Sequence, residues 1–405
     1  MTEHANRPAQ TPGLMARLRR LIAPAPLQKA APRGRALVGW AAPSGTRWTA
    51  RRYETLADEG YVRNVVVHRA VSLVSRSVAA IPWIARDGAG AEVSSPAFER
   101  LMQRPNPRDE GAAFREALAA QLLIAGNAYV EAVGPPGRPR ELHLLRPDRV
   151  AVRPGPGGIP AGFDCREGEE TRFVPVDPVT GASAILHLKT FHPLDDWHGL
   201  PALEAAAQAI DQHNAAGSWN KALLDNAARP SGALVYQPKD GPAVLADEQF
   251  ERLKADIAEQ FEGARNAGRP LLLDGGLDWK PLSLSPAEMD WIEGRNAAAR
   301  EIALAFGVPP QLVGVPDAQT YANYAEARLA LYEDTVVPLA QRIARAFARA
   351  FGAGFGIAVL EPDLDEVPAL EPRRAERWAK VAGAADLTPD ERRAALGYAP
   401  LATKE

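Results

Sequence analysis

Ser285-Pro286-Ala287-Glu288 and, further on, Phe306-Gly307-Val308-Pro309-Pro310 frame the part of this sequence that decides its fold. A serine before a proline, with glutamate three places later, predicts a capped helix start. Apolar residues then recur at helical spacing: Trp291/Ile292, Ala298/Ala299, Ile302/Ala303 and Ala305/Phe306. Gly307 and Pro309 stop that helix, because proline lacks an amide donor and biases its predecessor away from the α region. Beyond a loop through Asp317 and Gln319, a second helix is expected from near Asn323, carrying Leu329, Tyr332, Leu339, Ile343 and Phe347. Helix, breaker and helix carry no catalytic motif. They read as a moving part.

Upstream, residues 201–228 read as one Ala-rich helix with Leu203, Ile210 and Leu223, roughly 40 Å long at 1.5 Å per residue. That is long for a compact domain. Arg229-Pro230-Ser231-Gly232 breaks it before a strand at 233–236. An amphipathic helix follows over 247–261, with Phe250, Leu253, Ile257 and Phe261 in register and Gly263 as cap. Strands at 270–273 and 279–284, the latter opening on Trp279, flank the hairpin-like turn Asp274-Gly275-Gly276. Two long helices therefore bracket a small α/β insert. It is acidic, with nine Asp/Glu against seven Lys/Arg over 229–283.

An α+β unit is expected from Tyr53. Its helices are 62–80, with Val66, Ala70, Leu73, Val74 and Val78 on one face, and 111–125. Ile81-Pro82-Trp83-Ile84 ends the first helix and starts a strand. Gly126-Asn127 makes a turn into the alternating strand 128–131, and further strands lie at 142–145, 150–152 and 185–188 around a Gly/Pro loop at 154–160. After 351 come a strand near 357–360, a loop, a helix over 371–382 and a second one opened by the capping box Thr388-Pro389-Asp390-Glu391. The first 52 residues, with ten Lys/Arg against Glu3 alone, read as a flexible arm or as a segment that binds an anionic surface or nucleic acid.

At 405 residues, 46% apolar and 24% charged, the composition is that of a globular protein of two or three units. A net charge of −3 speaks against a generic nucleic-acid binder. Cys165 is the single cysteine, which excludes a disulfide framework. No run reaches the roughly 20 apolar residues of a membrane span. The N-terminus lacks the apolar core of a secretory signal, which reads as an intracellular protein. P-loop, nucleophile-elbow and zincin patterns are absent. The densest polar cluster, His187, His192, Asp195, Asp196 and His198, matches no tight ligand spacing. It reads as a structural loop, with the carboxylates near a helix N-terminus, rather than a metal site. His213 reads as a packed or interfacial histidine, and Glu293, Arg295 and Arg300 as a solvated face or a set of inter-subunit ion pairs.

A series of stretches, in this order, resembles portal proteins of tailed bacteriophages, of the HK-type branch found in long-tailed phages and gene transfer agents. They are Ala125-Gly126-Asn127-Ala128-Tyr129, Leu144-Leu145-Arg146-Pro147-Asp148-Arg149-Val150, Gly199-Leu200-Pro201-Ala202-Leu203, Phe306-Gly307-Val308-Pro309-Pro310-Gln311-Leu312, Thr320-Tyr321-Ala322-Asn323-Tyr324 and Leu387-Thr388-Pro389-Asp390-Glu391. The resemblance spans residues 61–400. It implies a portal-type α+β fold: wing at 53–200, stem helices at 201–228 and 286–306, clip at 229–285 and tunnel loop at 307–322. A wing helix and return strand would occupy 323–367, and a small helical crown 368–405. It also implies a ring, usually a dodecamer, at one capsid vertex of a virion or gene transfer agent particle, assembled in the cytoplasm of the producing bacterial cell. The ring would meet the major capsid protein, dock the terminase large subunit, pass double-stranded DNA for packaging and ejection, and later hold the head–tail adaptor. No catalysis, cofactor, metal or membrane is implied.

On this mapping Gly307, Val308, Pro309, Pro310, Gln311, Gly314, Asp317, Gln319, Thr320 and Tyr321 face DNA. Ala206, Ile210, His213, Glu293, Arg295 and Arg300 meet neighbouring subunits in the stem. Phe250, Asp274, Gly275 and Trp279 belong to the docking surface of the clip. Two other functions compete: a DNA-binding adaptor acting through its basic arm, and a metal-dependent hydrolase built on His187, His192 and Asp196.

Overall fold

The helix Val65–Ala80 (α1) holds the centre of the computed structural model, which describes residues 52–225, 232–236, 248, 251–252, 277–281, 291–315 and 321–398. Its sequence is a poor intrinsic helix former, because β-branched valines lose rotamer freedom against the preceding turn. Burial decides the matter. Val66, Val67, Val71, Val74 and Val78 are all in the core, each contributing about 1.5–3 kcal/mol against a propensity penalty of at most ~0.7 kcal/mol. Asn64 fixes the start: its Oδ1 accepts from the Val66 and Val67 amides at 3.0 and 3.2 Å. The helix therefore begins after Asn64, not at Val62. The preceding Ala57–Val62 forms a π-helical turn.

Strand β1 (Trp83–Arg86) follows, then two helices, α2 (Pro96–Gln103) and α3 (Gly111–Ala125), of which α3 packs along α1. Next come β2 (Asn127–Val133), β3 (Glu141–Leu145), β4 (Val150–Arg153), β5 (Gly162–Glu167), β6 (Glu170–Pro175) and β7 (Ile185–Lys189). They form two antiparallel three-stranded sheets, ordered β3-β2-β7 and β4-β5-β6. Tyr129, Val150, Val152, Phe163, Cys165, Val174, Val176 and Ile185 make a second, smaller core where these sheets meet. The helix α2 and the hairpin β5–β6 go beyond the elements expected from sequence.

The long helix expected over 201–228 is interrupted. A single turn, Ala202–Ala205, buries Leu203 completely against Gly60 of the π-helical turn, and helix resumes as α4 (Ala207–Asp225). At 1.5 Å per residue α4 runs about 28 Å rather than 40 Å. Its last expected turn, 226–228, lies outside the described residues. Strands β8 (Gly232–Tyr236) and β9 (Leu277–Pro281) pair antiparallel, with Leu234 opposite Trp279. Of the helix expected at 247–261, Glu248, Glu251 and Arg252 are described, and they are helical. The turn Asp274-Gly275-Gly276 and the cap Ser285-Pro286-Ala287-Glu288 lie outside the described residues.

Helix α5 (Trp291–Ala305) packs on α4 and touches α1. Ala298, Ala299 and Ile302 face Ala206, Ala207, Ala209 and Ile210 within one continuous core. Beyond the breaker, α6 (Tyr321–Leu331), a π-helical turn (Tyr332–Val336) and α7 (Val337–Phe351) make one helical run. Ile343, Phe347 and Phe351 bury its far end, and Phe347 meets Trp83 edge-on at 5.4 Å. Strand β10 (Val359–Pro362) then pairs antiparallel with β1, closing the fold between residues far apart in sequence. The tail helices α8 (Glu371–Gly383) and α9 (Pro389–Ala395) bury no residue fully, and the capping box between Thr388 and Glu391 is formed.

Candidate functional site

The breaker between α5 and α6 is a fixed pedestal. Gly307 sits at φ +63°, a conformation that disfavours any side chain, and its amide donates to the Leu304 carbonyl at 3.0 Å. The Thr335 hydroxyl, in the π-helical turn, donates to the Gly307 carbonyl at 2.6 Å. The Val308 amide reaches back to Ala303 at 2.9 Å. Pro310–Val313 then forms a single 3-10 turn that ends at Gly314, φ +83°. Arg69 of α1 clamps this turn by donating to the Leu312 carbonyl at 3.2 Å.

Val308, Leu312 and Val315 are buried, at 2, 5 and 3% exposure. Val308 is therefore a core plug, whereas its place in the loop predicts a residue facing DNA. An apolar side chain flanked by two prolines gives no local sign of which way it points. Pro309, Pro310 and Gln311 are half-buried, while Gly307 and Gly314 are exposed. The other residues expected to face DNA follow Val315. Asp317, Gln319 and Thr320 lie there, outside the described residues; Tyr321 opens α6 with its side chain outside them.

The stem residues fall into two groups. Ala206, Ile210 and His213 are covered by their own chain, at 3, 3 and 7% exposure, so they offer no face to a neighbour. Close packing of α4 on α5 within one chain uses the small residues that the sequence suggested for contacts between chains. His213 closes a buried polar network. Its Nδ1 lies 3.2 Å from Asn64 Nδ2 and its Nε2 lies 3.4 Å from Arg295 Nε, and the neutral ring accepts from one of these two N–H groups at a time. Asn64 also donates to Asn214 Oδ1 at 2.9 Å, and Asn214 donates to the Glu59 carbonyl at 2.9 Å. Burial, and then the nearby Arg295 charge, lower the His213 pKa and keep the ring neutral. One asparagine thus joins α1, α4 and the first π-helical turn, and through His213 it reaches α5. Arg300 and Glu293 pair with each other at 2.8 Å on the outer face of α5, where Leu304 is 78% exposed.

The histidine cluster does not converge. His187 stacks on Tyr129 at 4.4 Å between ring centres, and its Nε2 donates to Asn127 Oδ1 at 3.0 Å. Burial, with lesser contributions from Lys189 and His198, pushes its pKa down to about 3. Asn127 Oδ1 also accepts from the Gly199 amide at 2.9 Å. Here Gly126 and Gly199 touch backbone to backbone: a Cβ on Gly199 would lie 2.0 Å from the Gly126 carbonyl oxygen. Asp195 accepts from the Trp197 and His198 amides at 2.7 and 3.1 Å, and from the His198 ring at 3.0 Å. Burial raises its pKa, but those three donors outweigh it and hold the carboxyl at about 2. Asp195 therefore caps a turn of its own loop, well before the helical turn at Ala202, and does not sit at a helix N-terminus. Among the described residues no group of three or more His, Cys, Asp or Glu side chains is placed to hold a metal. Nor is any described helix long and apolar enough to cross a membrane.

Of the clip residues, Phe250, Asp274 and Gly275 lie outside the described residues, and Trp279 sits mid-strand in β9 with its side chain outside them. The network around Asn64 escaped the sequence reading. Its one local signal was an asparagine just before an apolar run.

The family model for "Phage portal protein" matches residues 65–397. The neck of an empty gene transfer agent particle, computed with C6 symmetry, contains a chain 48% identical to this one; the match covers 87% of this chain and 95% of that one, with a TM-score of 0.69. The neck of the native particle, computed with C12 symmetry, contains a chain 47% identical, covering 88% and 97%, with a TM-score of 0.67. An uncharacterized protein of Rickettsia bellii (strain RML369-C) is 41% identical over 84% of this chain and 88% of its own length.

Proposed function

Because the chain belongs to the phage portal protein family, we propose that it assembles with copies of itself into a ring at one vertex of a capsid-like particle and conducts double-stranded DNA along the ring axis. The observation that carries this reading is the pedestal. Two helices and a 3-10 turn, clamped by Arg69 and Thr335, make the breaker a rigid frame. Gln311, Gln319 and Tyr321 meet DNA there through hydrogen bonds and van der Waals contact. Tight phosphate binding would pin the duplex, since every neutralised phosphate adds a counterion-release term.

Twelve copies is the number we favour, from the C12 symmetry of the native gene transfer agent neck. Neighbouring copies meet on the outer face of α5, where Glu293, Ala297, Arg300 and Leu304 share one side of the helix at spacings of three and four. The insert at 229–285 docks the terminase large subunit and then the head–tail adaptor, using Phe250, Asp274, Gly275 and Trp279. The unit at 53–200 meets the major capsid protein. The protein is a structural part of the particle and performs no catalysis of its own; assembly takes place in the producing bacterial cell. Electron microscopy of the purified chain in negative stain tests this: rings are expected. A strictly monodisperse monomer under capsid-assembly conditions would overturn it.

A further inference from the structure

A groove of about 690 Å³ lies between the end of α2 and the turn joining β2 to β3. Arg100, Arg104, Arg138 and Arg140 line it, with Phe355, Pro135 and Pro139 as apolar surface. All four arginines are exposed, and no carboxylate lines the groove. None of them has an ion pair or a side-chain hydrogen bond among the described residues; the Arg138 guanidinium lies 5.8 Å above the Phe355 ring. The nearest acids in sequence are engaged elsewhere. Glu99 accepts from Ser94 Oγ at 2.8 Å, and Glu141 pairs with His143 at 2.9 Å. A second hollow of about 650 Å³ shares Gln103 and Arg104; there Arg108 and Arg115 stand beside the carboxylates Asp109 and Glu110, so the uncompensated cationic lining is confined to the first groove.

Four like charges gathered without a counter-charge repel one another, and ordinary surfaces intersperse the two signs. Here they gather on a chain whose net charge is −3, so overall basic composition does not explain them. Every cation in the groove is arginine. The planar guanidinium fork matches two phosphate oxygens at once, whereas an ammonium acts as a point charge. Arg100 lies in the last turn of α2 and Arg104 immediately follows its end, while Arg138 and Arg140 approach from the β2–β3 turn. Two rows of guanidinium groups facing an open groove suit a continuous line of phosphates better than a single small anion. No element of the groove belongs to the breaker or to either stem helix.

We propose that this arginine groove is a second DNA-contacting site, separate from the channel, which holds the phosphodiester backbone of duplex DNA without reading its sequence. It goes beyond the conduit reading, in which DNA meets only the channel. A salt-dependent grip here and a low-friction channel there divide two tasks that one surface cannot perform together.

The test is fluorescence anisotropy of a labelled short duplex with the full-length chain, titrated between about 50 and 200 mM salt. The wild type is compared with the quadruple variant Arg100→Gln, Arg104→Gln, Arg138→Gln, Arg140→Gln. At about 0.9 per phosphate contact, the slope of log K against log salt is expected to fall by about 3 to 4 in the variant. The basic arm remains in both proteins, so its contribution cancels. Ring formation in negative stain, equal for the two proteins, separates loss of this site from loss of the ring. Should the quadruple variant fail to fold, the doubles Arg100→Gln/Arg104→Gln and Arg138→Gln/Arg140→Gln are each expected to lose about half of the slope. An unchanged slope would overturn the proposal. So would displacement of the duplex by an acidic peptide of equal charge at equal concentration, since that would mark a carboxylate-binding site for a protein partner.

Discussion

Replacing Gly307 by alanine strikes the pedestal at its tightest point. At φ +63° an L-residue with a Cβ is strained by about 1–2 kcal/mol. The added carbon would also lie 2.5 Å from Thr335 Oγ1, well inside van der Waals contact. That hydroxyl must turn away, which breaks its 2.6 Å bond to the Gly307 carbonyl and costs about 0.5–1.5 kcal/mol net. Together the two effects destabilise the junction by about 2–3 kcal/mol. The assay is urea unfolding of the full-length chain for Gly307→Ala, Thr335→Val and the double variant. Thr335→Val alone is expected to cost about 1 kcal/mol. The double should fall short of the sum, because both changes remove the same hydrogen bond. A Gly307→Ala chain within about 0.5 kcal/mol of wild type, or strict additivity in the double, would refute the reasoning. Rings should still form in the variant, since the stem faces are untouched, and DNA packaging should drop. Normal packaging by Gly307→Ala or Pro309→Ala rings would show that the geometry of the breaker does not matter for DNA passage.

Other positions make independent tests. Asn64→Ala removes a helix cap worth about 1 kcal/mol and leaves buried polar partners at His213 and Asn214 unsatisfied, for a total of about 2–4 kcal/mol in unfolding. A loss under about 0.5 kcal/mol would mean that this network does not bind the elements together. His187 is neutral in the fold, with a pKa of about 3 against an ordinary value of 6.5. Its contribution is whole above pH 6.5 and is lost as pH falls toward 3, by at most about 1.4 kcal/mol per pH unit. His187→Gln should flatten the stability profile over that window, and an equal slope in the variant would contradict the burial argument. Deleting residues 245–283 should spare the 53–200 unit, as read by hydrogen exchange of α1 and α3, and abolish capture of terminase or adaptor in a pull-down. Retained capture would remove the docking role of the insert.

Local patterns carried much of the fold. The helix over 111–125 has an apolar face and a glycine cap, and it forms with those bounds because Gly126 takes φ +67°. The capping box at Thr388 was readable for the same reason: all its partners lie within four residues. The hairpin β5–β6 was not readable, since β6 leaves only Val174 buried and so shows no alternation. The break at Ala206 depends on Leu203 finding Gly60, and no window around an Ala-rich run contains that information. Asn127, His187 and Gly199 meet across separations of 60 and 72 positions, so their network was invisible until the sheet was built. Of the site, the breaker and its glycine were legible. The inward turn of Val308 was not, because its direction is set by packing on the core and by the clamp from Arg69.

That this chain forms the DNA-conducting ring of one vertex is tested most directly by imaging that vertex. Particles assembled with a density-tagged copy of the chain would be aligned on the tagged vertex and averaged by cryo-electron microscopy. The expected result is a single tagged ring per particle, twelve-fold about an open axis, with density for duplex DNA passing through it. Tag density at every vertex, or a single ring whose axis is closed to DNA in filled particles, would contradict it.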